Sequence, residues 1–313
     1  MKNLFFLFLS FLCIHPVLVA QQNKILQDSL QINRFIEGNL VKPAGAVNPP
    51  LVIFIQGSGQ TDRNGNQGPL KSDYAKKIAY QLAENKIASF RFDKRSLKVK
   101  ELKLDTILFD DFVTDVSQIL SYFKKEGNFS KLIVAGHSQG SLIGMLAAKA
   151  NADAFISLAG PGNSIDHILV EQLTAQFPQF ENDLKESFKE LKKAGATENY
   201  PKLFQSIFHP QNQAFLANWM QYDPVQEISK LEIPVLIVQG TRDLQVKEEQ
   251  AKMLHQAAAG SKLVLLEDMN HVFREIREEE KNLNLASYSN PEKPLHPELI
   301  PVLSDFIKNL EIK

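Results

Sequence analysis

Three side chains of the types needed for acyl transfer lie far apart in the chain: Ser138 in Gly136-His137-Ser138-Gln139-Gly140, Asp243 in Gly240-Thr241-Arg242-Asp243, and His271 in Met269-Asn270-His271. A serine hydroxyl is a weak nucleophile at neutral pH and needs a base to take its proton as it attacks a carbonyl carbon. An imidazole does this, and a carboxylate behind it sets the tautomer and stabilises the imidazolium that forms. The negative oxygen created on the substrate needs preorganised N–H donors. The backbone N–H of Gln139, directly after the serine, is one candidate. The stretch Gln56-Gly57-Ser58-Gly59 offers the other, with Ser58 the first choice and Gly59 the second. A bare G-x-S-x-G pattern arises by chance in roughly one chain in ten of this length, so the surrounding elements decide its meaning.

Those elements alternate. The apolar run Lys131–Ala135 before the serine and the helical pattern Gln139–Ala150 after it predict strand, tight turn and helix. Leu51–Ile55, Ile87–Phe92, Ala154–Leu158 and Ile233–Val238 are apolar runs of the kind buried on both faces of a parallel sheet. Leu263–Leu266 predicts a last strand, and Leu30 to Val41 one or two edge strands. Between them, helices are predicted from Tyr74 to Leu82 with Ser72 as N-cap, over Asp111–Phe123, over Glu248–Ala259 and over Glu298–Leu310; residues 274–297, with three prolines, read as a loop. Alternation of this kind predicts a mostly parallel, doubly wound α/β sheet. Ser138, Asp243 and His271 each follow a strand, which places them on one edge. The order Ser, Asp, His leaves room for one helix and one strand between acid and base.

The rhythm breaks over 161–229, which reads as helices without a good strand. The stripes Leu184, Phe188, Leu191 and Phe215, Leu216, Trp219, Met220 read as packing, and the segment as a helical lid inserted into a core made of 21–160 and 230–313. At the N-terminus, Lys2 precedes an apolar stretch ending at Leu18-Val19-Ala20, the pattern of a secretory signal peptide over 1–20. Export to the periplasm or outside the cell is therefore expected, with no stable membrane insertion once the signal is removed. Cys13 is the only cysteine, so the mature chain would carry no disulfide. A net charge of −1 gives no basic excess for nucleic acid, and no His or Cys spacing suggests a metal. Nothing in the sequence assigns an oligomeric state.

With these residues in place the chain resembles the α/β-hydrolase superfamily, and within it bacterial carboxylesterases carrying a G-S-G-x-T-D-R-x-G-N loop, here Gly57-Ser58-Gly59-Gln60-Thr61-Asp62-Arg63-Asn64-Gly65-Asn66. The resemblance implies hydrolysis of small carboxylic esters through an acyl-serine intermediate, without metal or organic cofactor. It departs from the pattern after Asp93-Lys94-Arg95, where many relatives continue Gly-x-Gly and this chain has Ser96-Leu97-Lys98. Asp62, Arg63, Asp93 and Arg95 read as a charge network, His137 as a residue shaping the turn, and Asp268 as a poorer partner for His271 than Asp243. Two other readings stand beside the esterase. One is an aminopeptidase or amidase of the same fold, for which Glu171, Glu181, Asp183 or Glu186 would hold the substrate amine. The other is a hydrolase-like protein that binds without catalysis.

Overall fold

The computed structural model describes residues 25–277 and 281–311, so the expected signal peptide lies outside the described residues. Eight strands form one sheet in the order β1-β2-β4-β3-β5-β6-β7-β8. β1 (Ile25–Gln31) and β2 (Glu37–Pro43) are antiparallel. β3 (Leu51–Ile55), β4 (Ala88–Phe92), β5 (Leu132–His137), β6 (Ala154–Leu158), β7 (Val235–Gly240) and β8 (Lys262–Leu266) run parallel. This is the α/β-hydrolase fold.

Strand periodicity divides the core. Ile53, Ile55, Phe90, Val134, Phe155 and Ile237 face one layer, while Val52, Phe54, Ile133, Ile156, Leu236 and Val238 face the other. α1 (Tyr74–Glu84) packs on the second face, and α2 (Phe109–Glu126) and α3 (Gln139–Asn151) on the first. α3 is buried at most of its positions, as expected of a helix sandwiched between the central strands and its neighbours.

Residues 161–229 hold α4 (Ile165–Thr174), α5 (Glu181–Ala194), α6 (Pro210–Trp219) and α7 (Pro224–Ile228). They join the first core layer: Trp219 stacks on Phe109 of α2 with ring centroids 5.3 Å apart, and Asn218 and Tyr222 bond to Asp110. After β7 comes α8 (Glu248–Ala257), and after β8 the short α9 (Lys281–Ala286) and the closing α10 (Leu299–Lys308).

Two expectations need correction. Ser72 does not cap α1; Asp73 does, in a left-handed conformation with φ 52°. The reason lies in the loop upstream, where Asn66 Oδ1 accepts from the N–H groups of Ser72 and Asp73, and the Ser72 hydroxyl donates to the Gly65 carbonyl. Residues 274–297 are not wholly loop, because α9 and a 3-10 turn at Ser287–Ser289 lie within them. Polar contacts order this stretch: Asn270 Nδ2 donates to Asn284 Oδ1 and Ser287 Oγ, and Asn284 Nδ2 donates to the Arg242 carbonyl. Hydrophobic periodicity carries no sign of such bonds.

Candidate active site

Loops at the C-terminal ends of β3, β4, β5, β7 and β8 meet above the sheet, where ligands bind in open α/β folds. Ser138 caps α3 with φ 53° and ψ −121°, a strained conformation for a non-glycine residue. The surroundings over-determine it. Its N–H donates to the Leu158 carbonyl of β6 at 2.9 Å. A Cβ at Gly136 would strike the Gly140 carbonyl, and one at Gly140 would strike the Ile55 carbonyl, so the turn closes only with glycine at both positions.

His271 Nδ1 lies 2.7 Å from Asp243 Oδ2. A carboxylate only accepts, so Nδ1 carries the proton and Nε2 of the neutral ring is left as the base. Asp243 is itself held on both oxygens. Oδ1 accepts from the N–H groups of Gln245 and Val246 at 2.8 and 2.9 Å, and Oδ2 also accepts from Gln239 Nε2 at 3.1 Å. Asp268 pairs with Arg242 at 3.0 Å. Ser138 and His271 line one cavity of about 180 Å3, together with Gly57, Ser58, Gln67, Tyr74, His137, Gln245, Val272 and Tyr288. Gln139, as the first residue of α3, has an N–H with no partner inside its helix.

His137 does more than its place beside the nucleophile suggests. Its Nε2 lies 2.9 Å from the His271 carbonyl, an acceptor, so Nε2 is the protonated nitrogen. Burial, reinforced by the neighbouring His271, holds its pKa well below the usual histidine value. The neutral ring therefore accepts at Nδ1 from the Tyr74 hydroxyl, 3.1 Å away. A relay thus runs from Tyr74 through His137 to the backbone of His271. Tyr74 reads in sequence only as a core residue of α1, since its hydroxyl finds a partner 63 positions away.

The loop after β3 is built from its polar residues. Asp62 Oδ1 accepts from the N–H groups of Asn64 and Asn66 at 2.9 and 2.8 Å. Arg63 pairs with Asp93 at 2.5 Å and with Glu37 at 2.8 Å. Arg95 belongs to a separate cluster, paired with Asp115 at 2.5 Å and Asp111 at 2.8 Å on α2. Among the described residues, no group of three or more His, Cys, Asp or Glu side chains is placed to hold a metal ion.

The fold and the strained serine turn define the chain as an α/β-hydrolase. It belongs to the family described as serine aminopeptidase, S33, whose pattern it matches over residues 71–280. The esterase EstD of Thermotoga maritima is 26% identical over 242 residues, covering 76% of this chain and 58% of EstD, so the chain spans less than two-thirds of that curated relative. Among solved structures it is similar to Est1E from Butyrivibrio proteoclasticus, with TM-score 0.53, 18% identity, and coverage of 84% of this chain and 96% of the other. An esterase of Pyrococcus furiosus superposes with TM-score 0.55 at 13% identity, covering 92% of each chain. At these identities the two structures speak to the fold.

Proposed function

We infer that this chain is an exported serine carboxylesterase that hydrolyses small acyl esters. In this reading Ser138 Oγ attacks the ester carbonyl carbon while His271 Nε2 takes its proton, and Asp243 stabilises the imidazolium. The N–H groups of Gln139 and Ser58 receive the oxyanion. Collapse expels the alcohol, which recovers the proton from His271. Water, activated by the same imidazole, then attacks the acyl-serine and releases the carboxylic acid. No cofactor enters.

The observation that carries this reading is the meeting of Ser138, on its strained turn, with the Asp243-bonded His271 around one small cavity. The name of EstD agrees with it, as does the G-S-G-x-T-D-R-x-G-N loop. Residues 161–229 serve as the lid: Gln172 Nε2 donates to the Gln245 carbonyl at 3.1 Å, and Glu171 pairs with Lys247 at 2.5 Å, tying α4 to the turn that carries Asp243.

The aminopeptidase reading has the family's description in its favour. It needs a carboxylate to hold the substrate amine, and among the described residues lining the cavity there is none. Glu171, Glu181 and Glu186 are instead paired with Lys247, Lys185 and Lys189. The esterase reading is favoured on that ground.

The test is turnover of p-nitrophenyl acetate beside an aminoacyl-anilide, with fluorophosphonate labelling of native protein and Ser138→Ala. Ester turnover and labelling that both vanish in Ser138→Ala are expected. A folded native protein that neither turns over ester nor takes the label overturns the reading, and preferential anilide cleavage would favour the peptidase. Export is checked by N-terminal sequencing of protein recovered from the periplasm, with a start near Gln21 expected.

A further inference from the structure

The Gly57 end of the loop after β3 is held by a buried cation. Lys94, two residues past the end of β4, is 2% exposed. Its ammonium donates to the Gly57 carbonyl at 2.8 Å and to Gln139 Oε1 at 2.6 Å, and lies 4.5 Å from the centre of the Phe112 ring. An ammonium has three donors, and here each direction has an acceptor: a carbonyl, an amide oxygen and an aromatic face.

Two of those contacts bear on the expected oxyanion donors. The Gly57 carbonyl belongs to the same peptide unit as the Ser58 N–H. That unit is planar and trans, so a donor fixed on the carbonyl turns the Ser58 N–H to the opposite side, away from Lys94. Ser58 lines the cavity that holds Ser138. The other contact anchors the side chain of Gln139, whose backbone N–H opens α3.

The segment around Lys94 adds to this hold. The Lys94 N–H donates to the Thr61 carbonyl at 3.4 Å, and the Ser96 hydroxyl to the Gly59 carbonyl at 3.2 Å. Ser96 thus supplies a hydroxyl that holds the same loop. Burial pulls the Lys94 pKa down to about 7, which marks its position as a costly one for a residue with no task beyond packing.

We propose that Lys94 is a positioning residue for the reaction: its ammonium sets the plane of the Gly57–Ser58 peptide and anchors Gln139, so that the N–H groups of Ser58 and Gln139 converge on the oxyanion. In its protonated form Lys94 also polarises the Gly57–Ser58 amide and strengthens the Ser58 N–H as a donor. The role rests on the reading of Ser138 as nucleophile and of these two N–H groups as the oxyanion donors.

The test uses Lys94→Met, which keeps bulk and removes every donor, and Lys94→Gln, which keeps a neutral N–H donor. Each is assayed for p-nitrophenyl acetate turnover and for affinity toward a trifluoromethyl ketone, which forms a tetrahedral oxyanion on the serine. In Lys94→Met, kcat should fall on the order of 100-fold, as for loss of an oxyanion donor. Its KM should stay within about threefold of native, because ground-state binding is untouched. Ketone affinity should weaken in parallel with kcat, and Lys94→Gln should fall between Met and native. A folded Met variant with kcat within about threefold of native overturns the proposal, as does a change in KM alone. If Lys94→Met fails to fold, Lys94→Gln decides: a fall in kcat matched by a fall in ketone affinity supports the role, and native values of both overturn it. Ester turnover by the native protein that survives Ser138→Ala, or none at all, overturns the esterase reading and this role with it.

Discussion

Asp243 Oδ2 and His271 Nδ1 lie 2.7 Å apart because β7 and β8 are adjacent parallel strands in register, Gly240 opposite Leu266. Each residue emerges a few positions past its strand, so the sheet, and not the chain segment between them, makes the contact. Asp243→Asn keeps the shape but replaces an acceptor with a group that can donate, which favours the wrong imidazole tautomer. On the proposed mechanism kcat should fall by roughly 10⁴-fold. The thermal midpoint should change little, since the N–H groups of Gln245 and Val246 keep an oxygen acceptor. Steady-state kinetics with a melting curve checks both.

Gly140 and Gly57 should respond differently to alanine. At Gly140 the new methyl would meet the Ile55 carbonyl, a backbone atom that cannot yield. Gly140→Ala should lose about 3 kcal/mol or more of stability. At Gly57 a Cβ would sit 3.2 Å from both His137 Nδ1 and Ser138 Cβ. Gly57→Ala should fold, with a loss of about 1 kcal/mol, yet lower kcat by displacing the oxyanion loop. Urea titration and turnover measured on both variants separate the two effects.

Tyr74→Phe removes one hydroxyl from the relay. It leaves the buried His137 Nδ1 without its donor. The expected loss is about 1–3 kcal/mol of stability, read as a lower urea midpoint at unchanged m-value.

Lys94 makes stability depend on pH in a defined direction. Its pKa is about 7 in the folded protein and near 10.5 in an exposed chain. Between those values the unfolded chain binds more protons, so unfolding free energy from this group rises with pH, by at most about 1.4 kcal/mol per unit. His137 acts with the same sign at lower pH. Its folded pKa is depressed, so stability falls as pH drops below about 6.5, where the unfolded chain takes up a proton that the folded chain refuses. Urea midpoints of native and Lys94→Met compared from pH 7 to 10 should diverge, with the native curve the steeper.

The sequence by itself determined the order of elements. Unbroken apolar runs such as Leu51–Ile55 and Val235–Val238 mark strands buried on both faces, and the period of α2 marks an amphipathic helix, because these patterns depend on burial alone. It also determined which residues stand at strand ends, since each candidate follows its strand directly. Only the tertiary structure decided how those strand ends bond to one another. Lys94 reads as a surface-type residue in the chain and is buried under Gly57 and Gln139 in the fold. Ser72 has the type of an N-cap, yet Asn66 takes its backbone N–H and Gly65 its hydroxyl. α9 is held by Asn270 and Arg242 rather than by any apolar stripe. The physical reason is common to all three. Hydrophobic burial leaves a period in the sequence, whereas a polar group is satisfied by whichever partner the fold brings within about 3 Å, and no periodicity marks that partner.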